Sequence, residues 1–469
     1  MLQPAPLQQS AAKLHFQTQF PASVATTLAA TTIYWLTVQS FIEVFRGQKC
    51  VAQLLSRFSA PWSPLLSSAA VGQTELDLWY HGASNRAERT EIERIVSEFN
   101  KSQPDWRVVT QSFFEQGYNS SVVASAARGH LPDIVDVDLP VLPNWVWLGY
   151  LQPLPVNASA IKDFLPSTVG VWQDELYSLG LWEAAIALIA RRSVLERHGL
   201  RIPSHSAPWT FQEFDEVLIS LQASGEYPHP LDLGLVQRGE WYAYAFGAFL
   251  NSFGGDLMDR QSYLTAQGAL NGAAGLAFCH WWRSLFERDL VAGLEQSEAD
   301  RDTGFLAGRY ALRLSGNWDA LEILQNFGDD MLILPPPDMG EGPVIGAGSW
   351  QFAVSSYSDH PEGAAAFIKF AAQSRHLIAL SDALGIIPPT ADAAEKSRSY
   401  GSEGLLAPFY DLARDYGRIR PQSPGYVVAA KVFERALVDI ALGADVKETL
   451  DAAATDIDAD IARNKGYRN

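Results

Sequence analysis

A chain of 469 residues is longer than one hydrophobic core organises, so two lobes or domains are expected. Hydrophobic residues make up 47%, enough to fill cores and too many for a disordered chain. The formal net charge of -18 argues against a nucleic-acid partner, because phosphate backbones are held by basic faces.

The charge is unevenly placed. Residues 1–72 carry Lys13, Arg46, Lys49 and Arg57 against Glu43 alone. Residues 21–42 are uncharged and moderately apolar, which suits an export signal, a poor membrane anchor, or extra residues ahead of the true start. Ser68-Ala69-Ala70 offers small residues of the kind a signal peptidase accepts. All three readings leave 1–72 out of the fold. Of the two cysteines, Cys50 lies in this leader and Cys279 in an apolar run, so neither a disulfide framework nor a metal site is expected.

After Gly72 short strands alternate with helices, an α/β pattern. Leu76-Asp77-Leu78-Trp79 reads as a strand. Ile92, Ile95, Val96 and Phe99 then recur at helical spacing among charged residues, and Pro104 follows the helix end. Strands at 106–110 and 133–137 flank a small-residue helix closing in Ala126-Ala127-Arg128-Gly129, which implies a largely parallel sheet. Thr210 with Glu213 has capping-box spacing and opens another helix. Downstream stand Asn251-Ser252-Phe253-Gly254-Gly255-Asp256, Phe305-Leu306-Ala307-Gly308, Ser315-Gly316-Asn317-Trp318, Gly346-Ala347-Gly348-Ser349-Trp350, Gly385-Ile386-Ile387-Pro388 and Arg420-Pro421. No nucleophile elbow, His-Glu-x-x-His helix, Walker loop or Cys-x-x-Cys pair is present in the sequence.

This order of segments, across 74–463, resembles the bacterial extracellular solute-binding proteins of the maltose type that serve sugar ABC transporters. The resemblance implies a periplasmic-binding-protein-like α/β fold, two lobes around a central cleft, joined by crossing hinge segments. It divides the chain into a leader (1–72), a first lobe (73–181), a second lobe (182–345), a return to the first (346–390) and C-terminal helices on the second (391–469). It also implies an exported, periplasmic monomer without cofactor or metal, which captures a sugar or oligosaccharide by hinge closure and delivers it to ABC permease subunits. A glycosidase or lyase using a carboxylate pair is the rival of a different class. Presentation of the ligand to a sensor or chemoreceptor is another, and a glycerol-phosphate solute would need basic ligands for which the early loop offers only Arg86 and Arg89.

The fourteen tryptophans favour sugar, since an aromatic ring covers the C–H face of a pyranose while carboxylates and amides bond its hydroxyls. Carried over to this sequence, the family's ligand positions fall on His81 and Asn85 after the first strand, Tyr118, and Asp136 and Asp138. They continue at Trp182, Glu183, Glu240, Trp241, Tyr242, Trp318, Gly348, Ser349, Trp350 and Tyr426. The bland alternatives are core packing for the tryptophans and strand-end capping for the two aspartates. Arg420 reads either as a contact to an anionic sugar or as a structural residue beside a hinge.

Overall fold

Local signals along the chain place the first elements. The computed structural model describes residues 72–295, 297 and 303–468; the leader up to residue 71, Cys50 included, lies outside them. Strand β1 (Thr74–Tyr80) leads to helix α1 (Arg86–Ser102), whose N-terminus is capped by the Asn85 side chain accepting from the Ala87 and Glu88 N–H groups. The expected stripe, Ile92, Ile95, Val96 and Phe99, is its buried face. Strand β2 (Trp106–Ser112), helix α2 (Glu115–Ala126) and strand β3 (Ile134–Asp138) follow. All five residues of β3 are buried, as befits a central strand covered on both faces.

The larger sheet runs β2-β1-β3-β12-β6-β5, with β4 (Leu151–Gln152) also on β12 (Trp350–Ser355). Strands β5 (Val169–Trp172) and β6 (Glu175–Leu179) form an antiparallel hairpin at its edge. Only β1, β2 and β3 are mutually parallel; β12 is antiparallel to β3, β4 and β6, so the sheet is mixed rather than largely parallel. The reason is the return path. β3 ends, and β12 begins, at the same end of the sheet, with Trp350 opposite Asp138.

The second sheet runs β10-β7-β9-β8, built from β7 (Ile186–Arg191), β8 (Leu231–Asp232), β9 (Leu312–Gly316) and β10 (Met331–Leu334). Short strands β11 (Ile345–Ala347) and β13 (Gly417–Ile419) pair in parallel beside it. Helix α3 (Phe211–Ala223) starts with the expected capping box, Thr210 and Glu213 bonding each other's backbone N–H reciprocally. Helices α4 (Ala273–Glu287), α8 (Tyr426–Ala441) and α9 (Val446–Arg463) add Phe278, Trp282, Phe433 and Leu450 to the core of this half. Cys279 lies in it fully buried, its thiol pushed up to about 12 by burial. The first half has its own core, where Leu76, Leu78, Ile95 and Phe99 meet helices α6 (Pro361–Ala371) and α7 (Ser374–Leu384).

Three stretches carry the chain between the sheets: from β6 to β7, from β11 to β12, and from α7 onward. They are knitted together at one place. Glu183 and Ile387 exchange backbone hydrogen bonds of 2.8 and 3.2 Å. Asn317, at the start of helix α5 (Asn317–Phe327), accepts from Ala185 N–H and donates to Gly385 O.

Candidate functional site

The C-terminal ends of β1, β2 and β3 point their loops to the crossing stretches, which is where an α/β sheet places ligands. The first group of side chains belongs to the larger sheet. His81 Nδ1 lies 2.5 Å from Asp136 Oδ2, and its ring stacks on Trp350 at 4.1 Å and 15°. Tyr118, fully buried, donates to Trp79 O and accepts from Asp136 N–H, while Trp350 meets its ring edge-on. Burial opposes the charge on His81, yet the Asp136 carboxylate outweighs it and raises the imidazole to about 9. Glu88, 4.0 Å from His81, is raised to about 7 by its own burial.

The second group is centred on Arg420, and it joins the two halves. Its guanidinium makes a two-pronged contact with Asp138, Nη1–Oδ2 3.3 Å and Nη2–Oδ1 3.2 Å. Nη1 also reaches Glu240 Oε1 at 2.5 Å, and Nη2 reaches Gly348 O at 2.7 Å. The cation lies over the Tyr244 ring, 4.6 Å from its centroid. Tyr426 donates its hydroxyl to Glu240. Burial raises the Asp138 and Glu240 carboxyls, and the Arg420 charge acts against that rise.

Glu183 completes the site from within the crossing stretches. It is fully buried, and its Oε1 accepts from Ala184 N–H at 2.8 Å and Gly348 N–H at 3.0 Å. Burial raises its carboxyl to about 7 against those bonds and that of the Ser167 hydroxyl. The Gly348 peptide is thereby held at both ends, by Glu183 on its N–H and Arg420 on its C=O. Its φ of +98° is open to glycine and strained for other residues.

Aromatic rings form a third group. Trp318, 37% exposed, packs edge-on against Trp241 and roughly parallel to Tyr244, both at 6.3 Å. Gly316 makes this possible, since a Cβ there would sit 2.1 Å from the Trp318 ring.

The expected residues thus divide. His81, Tyr118, Asp136 and Trp350 come together, as do Asp138, Glu183, Glu240, Gly348 and Tyr426, and Trp241 with Trp318. Asn85 caps α1, Trp182 packs in the core of the first half, and Ser349 is buried in the strand connection. Tyr242 points into the core of the second half with its hydroxyl on Leu235 O. Three contributors had escaped the sequence reading: Tyr244, Asn317 and the bridging role of Arg420. Tyr244 follows Tyr242 by two residues in a buried π-helical turn, Tyr242–Phe246, and its ring lies against Arg420. No group of His, Cys, Asp and Glu suited to a metal ion occurs among the described residues.

Comparison with known proteins agrees with this architecture. The family described as bacterial extracellular solute-binding protein matches residues 94–407. The GacH receptor of Streptomyces glaucescens, solved unliganded and with acarbose, is 18% identical; the match covers 85% of this chain and 99% of that one, with a TM-score of 0.69. The cyclic alpha-maltosyl-1,6-maltose binding protein of Arthrobacter globiformis is 20% identical over 83% and 99%, also with a TM-score of 0.69. The maltose/maltodextrin-binding domain MalE of Bdellovibrio bacteriovorus, bound to maltotriose, is 16% identical over 83% and 100%, with a TM-score of 0.67. An uncharacterized lipoprotein in the oleD 5′ region of Streptomyces antibioticus is 24% identical over 301 residues, 61% of this chain. This chain spans 64% of that relative's length.

Proposed function

We infer the function of this chain from its family, the bacterial extracellular solute-binding proteins, to which it belongs: it is the solute-binding component of a sugar ABC importer. The observation that carries the reading is the convergence of hydroxyl acceptors and aromatic rings from both sheets on one place. Asp138 and Trp350 come from the first sheet, Glu240, Tyr244, Tyr426 and Trp318 from the half built on the second. Carboxylates take hydroxyl protons, rings cover the apolar face of a sugar, and the pairing of both is what a pyranose needs. The solved structures that share the fold hold maltotriose and acarbose, which supports an oligosaccharide here.

The mechanism proposed is closure of two lobes around the solute. The lobes are 73–181 with 346–390, and 182–345 with 391–469, and solute entering between them stabilises the closed arrangement that a permease accepts. Catalysis is no part of this function. The protein works after export, as a periplasmic monomer; no helix among the described residues is long and apolar enough to cross a membrane.

A thermal-shift screen over mono-, di- and trisaccharides, polyols and glycerol phosphates tests the reading, because a ligand that binds the folded state raises its midpoint. Neutral saccharides are expected to raise it without being consumed. Turnover of the saccharide, or a response confined to glycerol phosphates, would overturn it.

A further inference from the structure

Arginine has five N–H donors, and in Arg420 four are committed within the protein: to Asp138 twice, to Glu240 and to Gly348 O. The fifth, on Nε, has no hydrogen-bond partner, although the residue is only 6% exposed. A buried donor without an acceptor is costly, so a lasting one marks a place where something else supplies the acceptor. The neighbouring Glu240 side chain, 38% exposed, shows that this cluster borders open space.

The charge around it is equally informative. Asp138 and Glu240 bring two carboxylates against one guanidinium, and Glu183 lies close enough to act on Tyr244 beside them. The one guanidinium is therefore already overmatched by carboxylates. The positive charge that an anionic solute would meet here is already matched, Arg420 by Asp138 and Glu240 and His81 by Asp136, and the carboxylates would repel it.

We propose that Arg420 is a specificity-determining residue: its Nε–H donates to a hydroxyl or ring oxygen of an uncharged, polyhydroxylated solute, and its neutralisation by Asp138 and Glu240 excludes anionic ones. This rests on the sugar-binding reading and narrows it to a solute class. Arg420 also opposes the rise that burial imposes on both carboxyls, so its loss should push them higher, with Tyr426, Glu115 and His81 the other titratable groups acting on them.

The test uses the full chain and two probes that differ in one terminal group, maltotriitol with CH2OH and maltotrionate with a carboxylate, by titration calorimetry. The wild type is expected to bind maltotriitol at least tenfold more tightly than maltotrionate. Arg420→Met should weaken maltotriitol binding at least tenfold at pH 7 and make it vary with pH between 5.5 and 8, where the wild type varies little. Arg420→Lys, which restores the charge, should restore the flat profile. Equal wild-type affinity for the two probes, or an Arg420→Met protein with unchanged affinity and profile, would overturn the proposal. Should Arg420→Met fail to fold, the wild-type pair decides alone. Binding of no neutral saccharide by the wild type would instead remove the sugar reading itself.

Discussion

Trp318 shows how one residue can be read at two levels. A tryptophan at a helix start is usually held in place by core packing, yet this one keeps 37% of its surface exposed while Trp241 and Tyr244 brace it. Trp318→Ala is therefore expected to weaken saccharide binding about tenfold, ~1.4 kcal/mol, in line with the worth of an aromatic contact. The unfolding midpoint should barely move, and calorimetry beside a thermal melt checks both. The buried ionisable groups predict a second behaviour. Glu183 and Glu88, at about 7, hold their protons in the folded protein where the unfolded chain has lost them, so stability falls as pH rises from about 4.5 to 7. His81, at about 9, keeps a proton that the unfolded chain loses near 6.5, so its contribution is complete below about 6.5 and disappears by about 9. His376, held neutral by burial at about 4, acts the other way below about 6.5, but the two glutamates outweigh it, so urea unfolding from pH 5 to 9 should show stability declining throughout. Glu183→Gln should flatten the lower part of that decline and leave the upper part.

At the scale of elements, the connection from β11 to β12 is the most constrained. Gly348 adopts φ +98°, and a Cβ there would come within 2.9 Å of Leu139 Cδ2. Its N–H and C=O are also committed to Glu183 and Arg420. Gly348→Ala should cost about 1–3 kcal/mol by the strain of that conformation, read as a lower urea midpoint with an unchanged slope. Sequence signals were strong wherever an element is fixed by its own neighbours. Ile92 to Phe99 announced the buried face of α1, and Thr210 with Glu213 announced the start of α3, because periodicity and capping are local effects. The direction of β12 was not legible, since it depends on a connection through the other half.

For the whole molecule, the crossing stretches are where two separately packed cores meet. Glu183, Ile387, Asn317 and Gly348 hold the three stretches together, and the closure proposed above would pivot about them. Addition of a binding saccharide to the full chain should leave the radius of gyration in small-angle scattering unchanged or smaller, never larger. An expansion on binding would contradict closure around the solute.

The order of strands, helices and glycine-bearing turns was enough to identify the family and the α/β fold, because those features are set by segments of ten or twenty residues. It also pointed to aromatic and acidic residues from which the candidate site is drawn. Which of them meet was decided only in three dimensions. Asn85 serves a helix cap, Tyr242 packs with its hydroxyl on Leu235 O, and Tyr244, buried two residues on, lies under the Arg420 guanidinium. Arg420 stands 282 positions from Asp138 and 180 from Glu240. No local pattern encodes a contact of that range; it exists because the chain passes three times between two sheets.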